Sequence, residues 1–394
     1  MKKNLYIANL LVAGLMTFTG CTDGFESDNA NKAGYTPELQ EYDLQKYVLN
    51  LGVMQQGIYF NYDWGRGTDW TFQTIQNLGH DMFAGYFHDM NNSFNDKNSV
   101  YALNDGWTGS AWTYTYGYIM TAAQKSEKIN QEQKGLLGVT KILKVELMHR
   151  IADTYGPIVY TKFGQEEGDN VDSQEAAYRQ FFKDLDEGVK LINEYKKANA
   201  ALEPFAAADI LMPAGKRTLS QWVKFANSLR LRLAIRVSMS APDLARAEVA
   251  KAMDATAGGV LESADETVAV SPESGYKNPL GTVNEGWGEV FMGATMESVL
   301  VGYNDPRLIK YYSKAEGGDI KDEKGNLIIA ERNKIAGTYK GVPQGTGVTV
   351  KDENRYRLHS KSTITKQTDA ILMTAAEVWF LRAEAALRGF TSEN

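Results

Sequence analysis

Three stretches between residues 134 and 240 repeat apolar side chains at helical spacing, and any fold for this chain must bury them. In the first, Val139, Leu143, Leu147 and Ile151 recur every four residues, which lines up one apolar face on a helix over about 134–155. Gly156-Pro157 stops it, because proline cannot continue a helix. A second helix spans roughly 173–196. The third covers about 218–240 and puts Trp222, Phe225, Ala226, Leu229, Leu233 and Val237 on one face. Helices that each carry such a face must pack on one another. The chain therefore reads as all-α.

The same periodicity extends to both sides. Residues of about 37–60 offer Leu39, Tyr42, Leu44, Val48, Leu51 and Ile58 for burial, and further helices are expected near 111–130, 242–255 and 374–387. Paired amphipathic helices with alanine and aromatics at contact positions predict stacked units of the tetratricopeptide kind, a helical repeat scaffold. Two long irregular insertions interrupt it. Residues 61–109 read as loop with short helices such as Thr71–Leu78, and 256–369 as short segments punctuated by Gly, Pro and Asn, with a strand-like run at Gly347–Lys351. The helix at 374–387 carries Ala376, Trp379, Phe380, Ala383 and Leu387 close to the last residue, Asn394. Its apolar face wants a cover, so the expectation is one domain over 39–394, incomplete at its C-terminus.

The N-terminus reads separately. Lys2 and Lys3 precede a largely apolar run from Leu5 to Met16, and Thr19-Gly20 lead into Cys21, the single cysteine of the chain. That is the layout of a signal peptide over 1–20. A lone cysteine forms no internal disulfide. Phe18-Thr19-Gly20-Cys21 reads instead as a lipobox, with Cys21 lipidated and anchoring the protein to a membrane. Residues 21–38, rich in Asp, Asn and Gly, read as a flexible tether. After residue 20 no uninterrupted apolar stretch approaches bilayer length. The net charge of −7 argues against nucleic acid as a partner.

Aromatics are the unusual part of the inventory: 21 Tyr, 15 Phe and 7 Trp. Trp64, Arg66, Asp69 and Trp70 fall within seven residues, followed by Tyr86, Phe87, Trp107, Trp112, Tyr114, Tyr116 and Tyr118. Flat rings stack on the apolar face of a sugar while Asp, Asn and Arg bond its hydroxyls, a combination that concave ligand sites use. The competing reading has these rings capping the helical core. A second candidate wall is Tyr276–Glu289, where glycines flank Trp287. Arg230, Arg232 and Arg236 look like an anion-binding comb but fit better as bridges between packed helices. His80, His88, His149 and His359 show no zinc spacing. No nucleophile elbow, P-loop or dinucleotide fingerprint is present, so no catalysis, cofactor or metal is expected.

Several segments together resemble one family. Arg150-Ile-Ala-Asp-Thr-Tyr-Gly-Pro-Ile-Val-Tyr160 is similar to the D-x-Y-G-D-I-P-Y segment of SusD/RagB nutrient-binding lipoproteins, with Pro157 where an acidic residue often follows Tyr-Gly. Trp222–Arg236 resembles their W-x-K-F-A-N-S-L-R-L-R-x-A-x-R helix, and Asp305-Pro306-Arg307-Leu308 and Thr374–Gly389 complete the set. The resemblance implies a SusD-like scaffold of four tetratricopeptide-like units with an irregular ligand-binding face. It also implies an outer-membrane, cell-surface lipoprotein that binds oligosaccharides and passes them to a SusC-like TonB-dependent transporter. Acidic Asp23, Glu26 and Asp28 after Cys21 resemble the surface-export signal of such lipoproteins. Peptides or another polymer as cargo, or a docking scaffold with no small ligand, are the alternatives.

Overall fold

The computed structural model describes residues 45–60, 70–91, 98–165, 170–330, 335–346 and 355–391. Its longer helices are α1 (Gln45–Gly57), α2 (Asp105–Tyr114), α3 (Thr121–Ile129), α4 (Lys134–Tyr155), α5 (Gln174–Ala198), α6 (Leu219–Arg236), α7 (Pro242–Ala252), α8 (Ala294–Gly302) and α9 (Ala375–Leu387). Their starts are written in the sequence. Ser173, Thr218 and Thr374 each accept a hydrogen bond from a first-turn N–H of α5, α6 and α9, which satisfies a donor that the helix itself leaves unpaired. Gly156 ends α4 with φ at +81°, a conformation that side chains disfavour.

Helix α4 packs along α5, and α6 packs against α4, α5, α7 and α9. The predicted stripe on α4 (Val139, Leu143, Ile151) is buried with Phe181 and Leu185 of α5 and Trp222, Phe225, Leu229 and Leu233 of α6. The Trp222 indole N–H donates to Asp209 Oδ2 at 2.8 Å, so the largest ring of the core leaves no polar atom stranded. Helices α4 and α5 come closest where two glycines face each other. A Cβ on Gly138 would stand 2.7 Å from the Gly188 carbonyl oxygen, and one on Gly188 would stand 3.0 Å from that of Gly138. A backbone carbonyl cannot swing aside as a side chain does. Gly138→Ala is therefore expected to destabilise the protein by about 1–3 kcal/mol through overpacking. A urea midpoint matching that of the parent protein would show slack between the two helices that this geometry does not have.

The structure departs from the expected elements in the first insertion. The helix expected over Thr71–Leu78 is an α-turn, Trp70–Phe72, followed by a π-wound segment, Gln73–Asp81. Helix α2 starts at Asp105, ahead of the expected 111, and runs through π-wound Thr115–Met120 into α3. Each π turn takes an extra residue, so apolar positions slip off the α-helical period. That is why the sequence pattern fades there. The strand-like run Gly347–Lys351, the signal peptide, the tether and Cys21 lie outside the described residues.

Strands are short and tie distant segments together. β1 (Phe87–His88) pairs antiparallel with β3 (Phe291–Met292), β2 (Val268–Val270) with β6 (Ala370–Met373), and β4 (Ile320–Lys321) with β5 (Leu327–Ile329). The β1–β3 ladder joins the first insertion to the second. Behind it Phe72, Phe87, Leu280, Val283, Val290, Met292, Leu300 and Tyr312 form a hydrophobic cluster of their own. The insertions thus share a packed layer, which their broken periodicity did not reveal. Helix α9 buries Ala375, Val378 and Ala385 and exposes Phe380 and Leu387. Among the described residues no helix is long and apolar enough to cross a membrane.

Candidate ligand-binding cavity

Between the helical scaffold and the two insertions lies a cavity of about 1070 Å³. That is the size of a small-molecule or oligomer site. Its floor is a polar stripe on α4 made of Glu146, His149, Arg150, Asp153 and Thr154, with Arg232 and Arg236 from α6 beside it. Positions three and four apart share a helix face, so the stripe was present in the sequence, set into a helix whose other faces are apolar. Its walls carry Tyr59, Phe72, Phe83, Phe87, Leu103 and Trp107 from the first insertion and its flanks.

The floor is held by defined bonds. Arg232 donates from Nε and Nη2 to the two Glu377 oxygens at 2.6 and 2.8 Å, and from Nη2 to the Leu372 carbonyl at 2.8 Å. Arg236 pairs with Asp153 at 3.0 Å. Arg150 donates from Nη1 to the Ile58 carbonyl at 2.7 Å and from Nη2 to Gln76 Oε1, and its guanidinium lies 4.6 Å from the Phe60 ring centre. Glu146 is buried. Its Oε2 has no hydrogen-bond partner among the described residues, the nearest cation being Arg232 Nη1 at 3.6 Å.

Burial sets the protonation of this floor. It pushes the Glu146 carboxyl up to about 7, against the opposing pull of Arg232 and Arg150. It pushes Asp81 up to about 7 against the Gln76 hydrogen bond and Arg150. It also takes His80 down to about 4, with Arg150 adding to the effect, and holds His149 well below the usual imidazole range. His149 Nδ1 faces the Val145 carbonyl at 3.1 Å, so Nδ1 carries the proton and Nε2 is an acceptor.

At one wall the Phe83 ring is exposed, and Tyr101, outside the lining itself, stacks on it. Phe83 is 40% and Tyr101 is 62% accessible, and they stack with centroids 6.0 Å apart and planes 23° apart. Tyr101 holds φ at +60°, which costs about 1–2 kcal/mol for a residue with a side chain. Trp107 and the exposed Leu103 line the same cavity.

Of the aromatic residues singled out in the sequence, Phe87 and Trp107 reach this cavity. Trp64, Arg66 and Asp69 lie outside the described residues. Trp70 is half-exposed in the turn that opens the π-wound segment, and it is not part of the cavity lining. Trp112 packs on Tyr116 at 4.6 Å and edge-on to Tyr155 at 5.3 Å. Trp287 packs against the second hydrophobic cluster. The polar groups around Trp287 are spent on structure: Asn284 Nδ2 donates to the Ser362 and Ile364 carbonyls, and Glu285 accepts from the Lys366 N–H. From that loop Asn278 and Leu280 reach the cavity. Arg230, Arg232 and Arg236 bridge helices as expected, and Arg232 and Arg236 also face the cavity.

Residues 28–394 match a family described as SusD-like, Susd and RagB outer membrane lipoprotein. The chain belongs to the SusD-like family. Its fold is close to the crystal structure of a SusD homologue from Bacteroides vulgatus ATCC 8482, at 50% identity and a TM-score of 0.80, covering 90% of this chain and 68% of that one. A chitin-binding SusD homologue from Flavobacterium johnsoniae is 32% identical, with a TM-score of 0.76 over 88% of this chain and 67% of that one. A SusD homologue from Bacteroides uniformis ATCC 8492 is 29% identical, with a TM-score of 0.69 over 89% and 67%. No curated protein matches. The paired helices are thus the tetratricopeptide-like scaffold of SusD-like proteins, which are binding proteins of an outer-membrane lipoprotein family.

Proposed function

We propose that the protein is a cell-surface lipoprotein that binds an oligosaccharide and delivers it to a SusC-like TonB-dependent transporter. The observation that carries this reading is a ring wall of exposed Phe83 and half-buried Trp107 on a cavity with a polar floor, with exposed Tyr101 stacked on Phe83. Exposed rings suit sugar faces, and the polar groups below suit hydroxyls. The chitin-binding relative supports a glycan ligand, and the family's association with SusC-like transporters supports the partner. In this reading residues 1–20 are removed as a leader, Cys21 carries the lipid, and residues up to 38 are the tether. Trp64, Arg66, Asp69, Trp70, Trp112 and Trp287 are proposed as further contacts for a longer chain.

If each ring contributes about 0.5–1.5 kcal/mol, a Phe83→Ala/Tyr101→Ala/Trp107→Ala variant should bind its oligosaccharide at least tenfold more weakly. Its circular dichroism should be unchanged. Calorimetry against a glycan panel checks this, and undiminished binding by the triple variant would remove the wall from the site.

A further inference from the structure

Arg150 is the unusual charge of this cavity. Arg232 has Glu377 and Arg236 has Asp153, but Arg150 has no carboxylate within ion-pair distance among the described residues. Its hydrogen bonds among the described residues go to a backbone carbonyl and the Gln76 side-chain oxygen, both neutral. A guanidinium has five N–H donors, and two are used. Burying a cation without an opposite charge is costly, so a fold that keeps one at the floor of an open cavity leaves a place for an anion. One turn before it on α4, Glu146 is nearly fully buried, and its Oε2 accepts no hydrogen bond among the described residues, Arg232 Nη1 standing 3.6 Å away. An acceptor left bare in that position awaits a donor. The other charged groups on the cavity lining are Lys310, which is exposed, and Asp81, Asp153 and Asp369.

We propose that the cavity selects a carboxylated sugar, a uronate unit of an acidic oligosaccharide, whose carboxylate pairs with Arg150 while one of its hydroxyls donates to Glu146 Oε2. A uronate carries both groups on one ring. A planar guanidinium matches a carboxylate with two parallel hydrogen bonds. The exposed rings at the mouth favour a sugar over an acidic peptide, since they present faces to stack on and no pattern of backbone partners. The inference rests on the glycan reading above and adds the ligand's charge to it.

The test uses the full chain and a matched pair of ligands: a galacturonate oligomer and its methyl ester, which hides the carboxylate and keeps the hydroxyls. Calorimetry should show the acid form binding at least tenfold more tightly, with the preference shrinking at high salt. Arg150→Lys keeps the charge but loses the paired geometry, and it should cut acid binding about tenfold while reducing the ester's affinity far less. The ligand pair decides the matter in the unmodified protein even if that variant folds poorly. Equal affinity for acid and ester overturns the inference. So does tight binding of neutral oligosaccharides with no binding of either galacturonate form, which leaves the glycan reading standing. Binding of an acidic peptide but of no oligosaccharide overturns both.

Discussion

Arg230→Ala is expected to cost about 3–5 kcal/mol of folding stability, the range for breaking a buried ion pair by removing one partner. Arg230 is almost fully buried on α6. Its Nη2 donates to Asp186 of α5 at 2.6 Å, and its Nη1 donates to Glu248 of α7. Lys251 closes the group, 2.9 Å from Asp186 and 2.8 Å from Glu248. Water can reach the half-exposed Asp186 once the arginine has gone, but Glu248 is buried. The loss therefore falls on Glu248, left in the core with Lys251 as its one cation among the described residues. The double variant Arg230→Met/Glu248→Leu should recover most of the stability, because well-packed apolar side chains replace buried pairs at little cost. Urea unfolding of the parent, both single variants and the double variant separates the pair energy from packing. A loss below about 1 kcal/mol in Arg230→Ala would contradict the buried geometry.

The arginines show which parts of this protein could be read in advance. Three of them on one strongly periodic helix were expected to bridge neighbours, and all three do. Periodicity says which face of a helix is buried, so partners on packed helices follow from it. It says nothing about which polar stripe ends up under an opening. Glu146, His149, Arg150 and Asp153 became a cavity floor only because segments near residues 59, 83, 107 and 370 fold over α4. Those approaches depend on π-wound turns and two-residue ladders, which leave no lasting period in a sequence. Aromatic candidates met the same limit. Trp107 and Trp112 are five residues apart on α2; one lines the cavity and the other packs on Tyr116 and Tyr155. Composition marks a ring-rich segment, but only the tertiary contacts separate the ring that lines a cavity from the ring that packs on its neighbours.

Glu146→Gln should stabilise the protein at neutral and higher pH, which is unusual for removing a charged residue beside two arginines. In an unfolded chain this carboxyl ionises near pH 4.5, whereas burial in the folded chain delays ionisation to about pH 7. Between those values the folded state holds a proton that the unfolded state has released, so stability falls as pH rises through that window. Below pH 4.5 the carboxyl is neutral in both states, and glutamine resembles it closely. Above pH 7 the folded protein carries the full cost of a buried, poorly partnered carboxylate. The gap between 4.5 and 7 corresponds to roughly 3 kcal/mol at about 1.4 kcal/mol per decade. His80 and His149, lowered by burial, titrate in the opposite sense, but they are present in both proteins and cancel in the difference. Arg232 keeps its two bonds to Glu377 in the variant, and Arg150 keeps its bonds to Ile58 and Gln76. Denaturant midpoints of the two proteins should therefore coincide near pH 4 and diverge through about pH 7, with the variant above. Parallel curves across that range would mean that Glu146 ionises freely, through a donor or water that satisfies Oε2 in the folded protein.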